Sequence, residues 1–286
     1  MRILGVGIAT LDVVNEVASY PAEDAEVRAL AQRVSRGGNA TNTLVTLAQL
    51  GHKCDWAGCL SDEPSQRLIL DDLARFGVGT DYVRVQVGGR MPTSYVALSL
   101  ATGSRTIVHY RDLAEYPAAA FRKLPLTAYD WVHFEGRAVT ELKAMVAYLR
   151  ALSGPPCSLE VEKPRAGIET CFEAVDLLLF GRHYAQQRGY ASAERFLCEA
   201  VPAGVAAFCA WGDHGAWARD DRGAVSHAPA FRPAQVIDTL GAGDVFNAAV
   251  IDGWLGQKLV PEILRRACRL AGAKCGRRGF GGLTWD

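Results

Sequence analysis

The chain has 286 residues, of which 49% are hydrophobic and 22% are charged, a composition typical of a globular protein with a sizeable core. Its 31 lysines and arginines balance 31 aspartates and glutamates, so no overall basic field attracts nucleic acid or an anionic membrane. No apolar run approaches the length of a membrane span, and the N-terminus lacks the apolar core of a signal peptide. The eight cysteines include no Cys-x-x-Cys pair, which predicts free thiols and a cytoplasmic location.

The first half of the chain alternates between apolar runs and amphipathic segments, which predicts strands and helices in turn. The predicted elements are a strand at 2–8, a helix from Asn39 to Gly51, a strand near 53–60 and a helix from Pro64 to Phe76. Glycine suits the end of a helix and proline its first turn. Two excursions, at about 12–35 and 88–112, contain extended segments and turns. They are long enough to build a small separate β-sheet.

From about residue 129 the alternation becomes regular. The predicted strands lie at 129–134, 157–162, 176–180 and 205–211, a hairpin turns near 220–223, and helices lie at 138–152 and 191–200 and begin near 244 and 260. This rhythm predicts a mainly parallel sheet with helices on both faces. Ligands of such sheets bind beyond the carboxyl ends of the strands, so the small sheet could close over the site as a lid. Because no linker or repeat interrupts the pattern, residues 1–286 are expected to form one α/β domain.

The strongest functional signal is the segment 236–247. Gly241, Ala242 and Gly243 leave the backbone bare just before a predicted helix, so free N–H groups and the positive helix end can bind an anion such as phosphate. Asp244 stands on the same turn and can accept the proton of an alcohol. A proton acceptor beside a phosphate site is what phosphoryl transfer to an alcohol requires. A tight packing turn and a helix cap are the structural alternatives for these residues.

Asp-Thr-Leu-Gly-Ala-Gly-Asp at 238–244 resembles the C-terminal signature of the ribokinase-like (PfkB) sugar and nucleoside kinases. Arg-Gly-Gly-Asn-Ala-Thr-Asn at 36–42 resembles the N-terminal signature of the same family, in the correct order and about two hundred residues away. Further runs resemble the ketohexokinases (hepatic-type fructokinases) within that family. They are Tyr20–Asp24, Gly103–Ile107, Trp131–Arg137, Val161–Arg165 and Gly272–Gly276. The sequence contains no P-loop string, Gly-x-x-x-x-Gly-Lys-Ser/Thr.

The resemblance implies a ribokinase-like fold, in which a three-layer α/β/α domain carries a β-sheet lid that pairs with a second subunit. It implies phosphorylation of the 1-hydroxyl of fructose with ATP and Mg²⁺, and it leaves a requirement for K⁺ open. Two alternatives remain, namely a ribokinase-like kinase of another sugar or a nucleoside, and a non-catalytic sugar sensor on the same scaffold. Asp244 argues against the sensor, because a sensor needs no base.

The resemblance assigns Asp244 as the catalytic base and the turn 241–243 as a source of N–H donors. The residues expected to contact the sugar are Asp12, Gly38, Asn39, Asn42 and Arg105, with Asp24 reaching in from the lid of a second subunit. The two asparagines lie one turn apart at a helix start, so both can face one ligand. Amide and carboxylate groups together suit the hydroxyls of a polyol. The alternatives are an N-cap at Asn39, a turn residue at Asp12 and solvent-facing side chains at Asp24 and Arg105.

The resemblance assigns the nucleotide to the loop after the strand at 205–211. The residues expected there are Ala210, Trp211, Gly212, Asp213 and Gly215, with Cys268 and Cys275 near the adenine. A tight turn and two buried thiols would explain the same residues without a nucleotide. Glu135, Glu162 and Lys163 stand at strand ends where phosphates or the magnesium shell could lie, Glu162 through a water. Gly-Arg-His-Tyr at 181–184 replaces the Asn-x-x-Glu motif of many relatives, so the metal ligands stay unassigned.

Overall fold

Residues 1–285 are described by a computed structural model. The strands of this part of the chain are β1 (Arg2–Val6), β2 (Thr10–Val17), β3 (Ala31–Gly37), β4 (Lys53–Ala57), β5 (Cys59–Ser61), β6 (Arg84–Gln86), β7 (Thr93–Ser99), β8 (Arg105–Tyr110), β9 (Trp131–Glu135), β10 (Cys157–Val161), β11 (Leu177–Gly181), β12 (Ala206–Ala210), β13 (Ala216–Arg219) and β14 (Val225–Ala228). Its α-helices are α1 (Asn39–Gln49), α2 (Gln66–Arg75), α3 (Ala118–Phe121), α4 (Val139–Ala151), α5 (Arg182–Gln187), α6 (Ala193–Ala200), α7 (Ala242–Leu255) and α8 (Val260–Cys275). Short 3₁₀ helices lie at Leu126–Ala128, Ile168–Ala174 and Gly212–His214.

Eight strands form one large sheet in the order β14-β13-β12-β11-β10-β9-β1-β4. Those from β12 to β4 run parallel, and the β13–β14 hairpin adds antiparallel strands at one edge. The central strands are buried along almost their whole length because helices cover both faces of the sheet. One hydrophobic cluster packs α3 to α6 on one face, and a second packs α1, α2, α7 and α8 on the other. The chain therefore has the three-layer α/β/α fold that the sequence predicts.

A separate four-stranded sheet, which we call the lid, has the order β3-β2-β7-β8. β2 runs parallel to β7, and the two outer pairs are antiparallel. These strands come from the two excursions, although β2 begins at Thr10 and β3 ends at Gly37, just beyond the expected bounds. The register pairs Asp12 with Ser94, and Ser94 with His109. Directly paired residues point the same way, so these three side chains share one face of the lid.

The structure differs from the predicted elements at a few places. The strand predicted near 53–60 is divided into β4 and β5 at Gly58, where a side chain would meet the Trp56 ring at 2.1 Å. The short helices α3 and α5 are not predicted, because four or six residues cannot display a 3.6-residue period. α7 begins at Ala242 and not near 244, because its first residues are small and carry no apolar pattern.

All eight cysteines are free, as the sequence predicts, and most are buried. Burial raises the pKa of the Cys268 thiol to about 11 and contributes most to raising that of Cys157 to about 12. Thiols with such pKa values are protonated and weakly reactive near neutral pH. Within residues 1–285, no helix combines the length and apolar composition that crossing a bilayer requires.

Candidate active site

A cavity of about 350 Å³ lies between the lid and the large sheet. It opens at the carboxyl ends of β9 to β12, where open parallel sheets bind their ligands. Its wall includes Thr10, Asp12, Ser94, Arg105 and His109 from the lid, Glu135, Glu160, Glu162, Gly181 and Ala210 from the strand ends, and Gly38, Asn39, Asn42, Thr239, Gly241, Gly243, Asp244 and Asn247 from around the starts of α1 and α7. Three parts of the fold therefore meet at one site.

The turn before α7 is held in a conformation that exposes its backbone. Gly241 has a φ of +80°, which favours glycine, and a side chain there would meet the Phe280 ring at 2.3 Å. Asp238 accepts a hydrogen bond from a backbone N–H of the same turn (3.0 Å), and the buried Lys274 ammonium lies 3.2 Å from the Asp238 carboxylate. The first N–H groups of a helix have no intrahelical acceptors, and Gly241 and Gly243 line the cavity. This turn can therefore bind an anion.

Asp244 lies in the first turn of α7 and is buried beside Asn42 of α1. The amide Nδ2 of Asn42 donates to Oδ2 of Asp244 at 2.6 Å. Burial raises the pKa of Asp244 well above its ordinary value, and the carboxylates of Glu162 and Glu135 act in the same direction. The Asn42 hydrogen bond and the charge of Arg36 lower it. A carboxylate with increased proton affinity and a fixed orientation has the properties of a general base.

Asn39, at the start of α1, faces two carboxylates at the edge of the large sheet. Its Nδ2 donates to Oε1 of Glu160 at 2.9 Å and to Oε2 of Glu162 at 3.2 Å. The other oxygen of Glu160 is buried and has no hydrogen-bond partner among residues 1–285. Burial, Asp244 and Glu135 raise the pKa of Glu160 well above its ordinary value. A buried oxygen without a partner is costly, which indicates that a ligand, a cation or a proton belongs at Glu160.

The lid contributes a carboxylate, a histidine and a cation to the same cavity. Asp12 accepts a hydrogen bond from a threonine hydroxyl at 2.9 Å, and burial raises its pKa. His109 Nδ1 lies 3.2 Å from the Ser94 hydroxyl, and burial together with neighbouring cations lowers the pKa of His109. Arg105 Nη1 donates to Thr239 Oγ1 at 2.6 Å. This last bond joins the lid to the turn before α7.

The structure brings together most of the side chains that the sequence singles out for the sugar and for catalysis. Those in the cavity wall are Asp12, Gly38, Asn39, Asn42, Arg105, Ala210, Gly241, Gly243 and Asp244, together with Glu135, Glu162 and Lys163. Ala242 stands between two of them as the first residue of α7. The others, which lie outside the wall, are Asp24, Trp211, Gly212, Asp213, Gly215, Cys268 and Cys275. Asp24 is exposed on the turn between β2 and β3 and does not line the cavity of its own chain.

The loop assigned to adenine is built by packing contacts. Trp211 is buried and meets Trp217 edge-on, with ring centroids 6.5 Å apart. Asp213 is exposed in a 3₁₀ turn, 3.9 Å from the guanidinium of Arg182. The Cys268 thiol lies 3.7 Å from a backbone carbonyl of β14. Packing accounts for these contacts without a nucleotide.

Several wall residues are absent from the sequence-based site. They are Thr10, Ser94, His109, Arg137, Glu160, Thr239 and Asn247. Glu160 carries a usable signal, because a carboxylate inside a strand that is buried along its whole length requires a partner or a function. The lid residues carried none, because only the pairing of β2, β7 and β8 brings them to one face.

Comparison with known proteins identifies the family of this chain. The family described as pfkB family carbohydrate kinase matches residues 2–285. The chain belongs to this family. It is 36% identical to mouse ketohexokinase over 294 residues, which cover 99% of each chain. The two signature strings at 36–42 and 238–244 therefore predicted the family correctly.

Solved structures support the same fold. The ribokinase of Giardia lamblia matches with a TM-score of 0.82 at 14% identity, over 99% of this chain and 96% of that one. The ribokinase of Cryptococcus neoformans, in complex with ADP, matches with a TM-score of 0.72 at 18% identity, over 97% of this chain and 95% of that one. The chain is thus a ribokinase-like, ATP-dependent sugar kinase of the PfkB family.

Gly243 provides a first test of the anion-binding turn. A Cβ at Gly243 would meet no atom of residues 1–285 within 4 Å outside its own helix. A larger side chain therefore fits the fold but projects toward the cavity. We expect Gly243→Leu to melt within a few degrees of the wild type while kcat falls about 100-fold or more, the scale of losing an oxyanion donor. Thermal melts and a kinase assay measure both effects.

Gly243→Ala and Gly241→Ala are the matched controls. Gly243→Ala should retain much more activity than the leucine variant. Gly241→Ala should lose about 1–3 kcal/mol of unfolding free energy because of its positive φ and the Phe280 contact. Near-normal turnover by Gly243→Leu would show that this turn does not approach the transferred group.

Glu160 predicts an unusual dependence of stability on pH. Its folded pKa lies above the ordinary value of 4.5, so its contribution to stability is present below pH 4.5 and is lost as pH rises through the folded pKa. A tenfold change in proton affinity between the folded and unfolded states corresponds to about 1.4 kcal/mol. We expect Glu160→Gln, which is neutral at every pH, to unfold at higher denaturant concentration than the wild type at pH 7. This advantage should disappear near pH 4.

Urea melts at both pH values measure the difference, with the exposed Glu173→Gln as the control that leaves it near zero. A Glu160→Gln variant that is no more stable than the wild type at pH 7 would mean that the charge of Glu160 does not lower the free energy of unfolding.

Proposed function

We propose that this kinase transfers the γ-phosphoryl group of ATP to the 1-hydroxyl of fructose or a related ketose, as a ketohexokinase-type enzyme. The observation that carries the proposal is the placement of Asp244. Its carboxylate lies at the start of α7, beside a bare glycine turn and 2.6 Å from Asn42 Nδ2. Asp12 and Asn39 line the same cavity. The 36% identity with mouse ketohexokinase, over 99% of each chain, supports the ketose.

In this proposal Asp244 acts as the base. The Asn42 hydrogen bond fixes the carboxylate, and a sugar hydroxyl beside it can pass its proton to the free oxygen. Because the transition state of phosphoryl transfer is loose, the proton is lost late, and orientation of the hydroxyl is the main requirement. The backbone N–H groups of Gly241 and Gly243, which line the cavity, would stabilise the charge that develops on the transferred group. The N–H of Ala242 donates to the carbonyl of Thr239 at 3.3 Å, so its part would be smaller unless that bond opens.

The sugar-binding proposal rests on complementary donors and acceptors. Glu160 and Glu162 accept from Nδ2 of Asn39, so the amide oxygen of Asn39 is turned away from them and can accept from a sugar hydroxyl. Asp12 offers a second acceptor from the lid. Gly38 also lines the cavity, and it must be glycine because its φ is +106° and a Cβ there would clash with the backbone carbonyl of Ile8. Asn42 and Arg105 complete the proposed contacts.

The nucleotide is proposed to enter beside Ala210, along the loop that continues to Gly215, with Cys268 and Cys275 behind it. Among the described residues, no group of three histidine, cysteine or acidic side chains is close enough to hold a metal directly. Mg²⁺ keeps most of its waters when it accompanies a nucleotide, and the unpartnered oxygen of Glu160 fits a role toward that water shell. Glu162 and Glu160 would hold Mg²⁺ through water, where it would neutralise phosphate charge.

We also propose that the chain acts as one domain whose lid, at about 12–35 and 88–112, pairs with the lid of a second copy. The register aligns Val34, Val13, Tyr95 and Val108 across the four strands, on the face opposite Asp12. Tyr95 and Val108 are 52% and 67% exposed. An apolar column of this kind suits burial against an identical face. Asp24, exposed in its own chain, would then be able to approach the cavity of the partner.

Steady-state ADP release with fructose, tagatose, ribose, glucose and adenosine tests the activity. We expect fructose or another ketose to give the highest kcat/KM. We expect Asp244→Asn to keep the fold and sugar binding but lose about 10²–10⁴-fold in kcat, the contribution of a general base.

Other outcomes of the same panel are equally informative. Preference for ribose or adenosine would indicate a different substrate class on the same scaffold. Thermal stabilisation by fructose without ADP release would indicate a sensor. Asp244→Asn with near-normal turnover would remove the proposed base.

The lid proposal predicts a dimer in sedimentation velocity. Val108→Glu places a charge on the outer apolar column and should give a monomer, because an unpaired charge is costly to bury in an interface. Lys143→Glu, on the distant helix α4, is the control and should remain dimeric. A monomeric wild type at micromolar concentration would contradict the lid contact.

A further inference from the structure

Arg36, at the end of β3, is a fully buried arginine next to the proposed base, with a side chain only 1% exposed. Its Nε donates to Asp72 Oδ2 of α2 at 2.7 Å. Its Nη1 donates to Thr41 Oγ1 at 3.0 Å and to Asn42 Oδ1 at 2.6 Å. The guanidinium also lies 5.5 Å from the centre of the Phe280 ring. These contacts from four directions leave it little freedom to move.

The bond to Asn42 decides which way the amide of Asn42 faces. A guanidinium can only donate, so the amide must present its oxygen to Arg36. The Nδ2 group must then point the other way, where it donates to Asp244 Oδ2 at 2.6 Å. A flipped amide would set two acceptors, its own oxygen and the Asp244 carboxylate, against each other.

The charge of Arg36 also remains available to the cavity. Its partner Asp72 is shared with Arg75, whose Nη2 lies 2.6 Å from the second carboxylate oxygen. One carboxylate therefore serves two guanidinium groups, and a net positive charge remains beside Asn42. The other titratable groups that line this cavity with Asp244 are the acidic Asp12, Glu135, Glu160 and Glu162, together with His109, Arg105, Arg137 and Lys163. Glu162 and Glu135 raise the pKa of Asp244, and the charge of Arg36 opposes their effect.

We propose that Arg36 is a positioning residue, which orients the Asn42 amide so that it holds the Asp244 carboxylate toward the substrate in its ionised form. Arg36 touches no substrate in this scheme and acts through Asn42. The inference rests on the proposed function, because it takes Asp244 to be the base.

The test compares Arg36→Met and Arg36→Lys with the wild type across pH. The acidic limb of kcat reports the ionisation of the base in the substrate complex. Without the cation, Arg36→Met should move this limb to higher pH, by up to about one pH unit, because the charge of Arg36 lowers the pKa of Asp244. Its plateau kcat should fall about 100-fold, the scale of small misplacements of a reacting group. Arg36→Lys keeps the charge, so its limb should stay in place while the plateau falls.

Arg67→Met is the matched control, because it removes an exposed arginine of the same helix α2 that makes no hydrogen bond or ion pair with Asp72 or Asn42. It should leave both limb and plateau unchanged. If the role of Arg36 is purely structural, Arg36→Met should lower the melting temperature, while the acidic limb of the enzyme that still folds stays at its wild-type pH. A folded Arg36→Met enzyme with a wild-type limb and plateau overturns the proposal. If Arg36→Met does not fold, a wild-type plateau kcat in Arg36→Lys overturns it instead.

A readout without turnover separates this inference from the proposed function. In ¹⁵N-labelled protein, the side-chain amide signal of Asn42, identified by its loss in Asn42→Asp, should follow the ionisation of Asp244. Its midpoint should move to higher pH in Arg36→Met, and in Arg36→Lys its chemical shift should report a weakened bond to Asp244. An inactive wild type would refute the proposed function, whereas an unchanged Asn42 signal in both variants would refute only the role of Arg36.

Discussion

The site depends on holding several carboxylates out of water at one edge of the sheet. Asp244, Glu160 and Glu135 are all buried within a single cavity, and neighbouring negative charges disfavour ionisation of one another. Each receives a fixed donor: the backbone N–H of Ile8 for Glu135 at 2.9 Å, and the two α1 asparagines for the others. The position of α1 is therefore set by the carboxylates as well as by its apolar face.

Helix α1 links the core to the chemistry. Its apolar side, with Leu44 and Leu47 fully buried, packs in the same cluster as α7. Its first turn carries Asn39 and Asn42, which lie on one side and serve two different carboxylates. Because core packing is dense and changes little, the distance between the starts of α1 and α7 is fixed before any ligand arrives. Preorganisation of this kind is what electrostatic catalysis requires.

The sequence predicts the fold well because both of its signals are local. Helix and strand periods, the glycine turn before α7 and the order of the two signatures can all be read along the chain. What it does not predict depends on pairing between distant segments. A buried carboxylate at Glu160 can be recognised along the chain, but its partner, Asn39, lies 121 residues away and cannot. Arg36 belongs to the N-terminal signature, yet its contact with Asp72 follows from the packing of α2 against β3, and its contact with Asn42 from the turn between β3 and α1.

Around Asp12 the two faces of the lid sheet differ in character, with polar Asp12, Ser94 and His109 on one and apolar Val13, Tyr95 and Val108 on the other. Because successive residues of a strand alternate between faces, a shift of one position in β2 would exchange them. It would send a valine into the cavity and a carboxylate out to solvent. Evolution can therefore replace side chains along β2 one at a time, but inserting or deleting a single residue there would damage both surfaces at once.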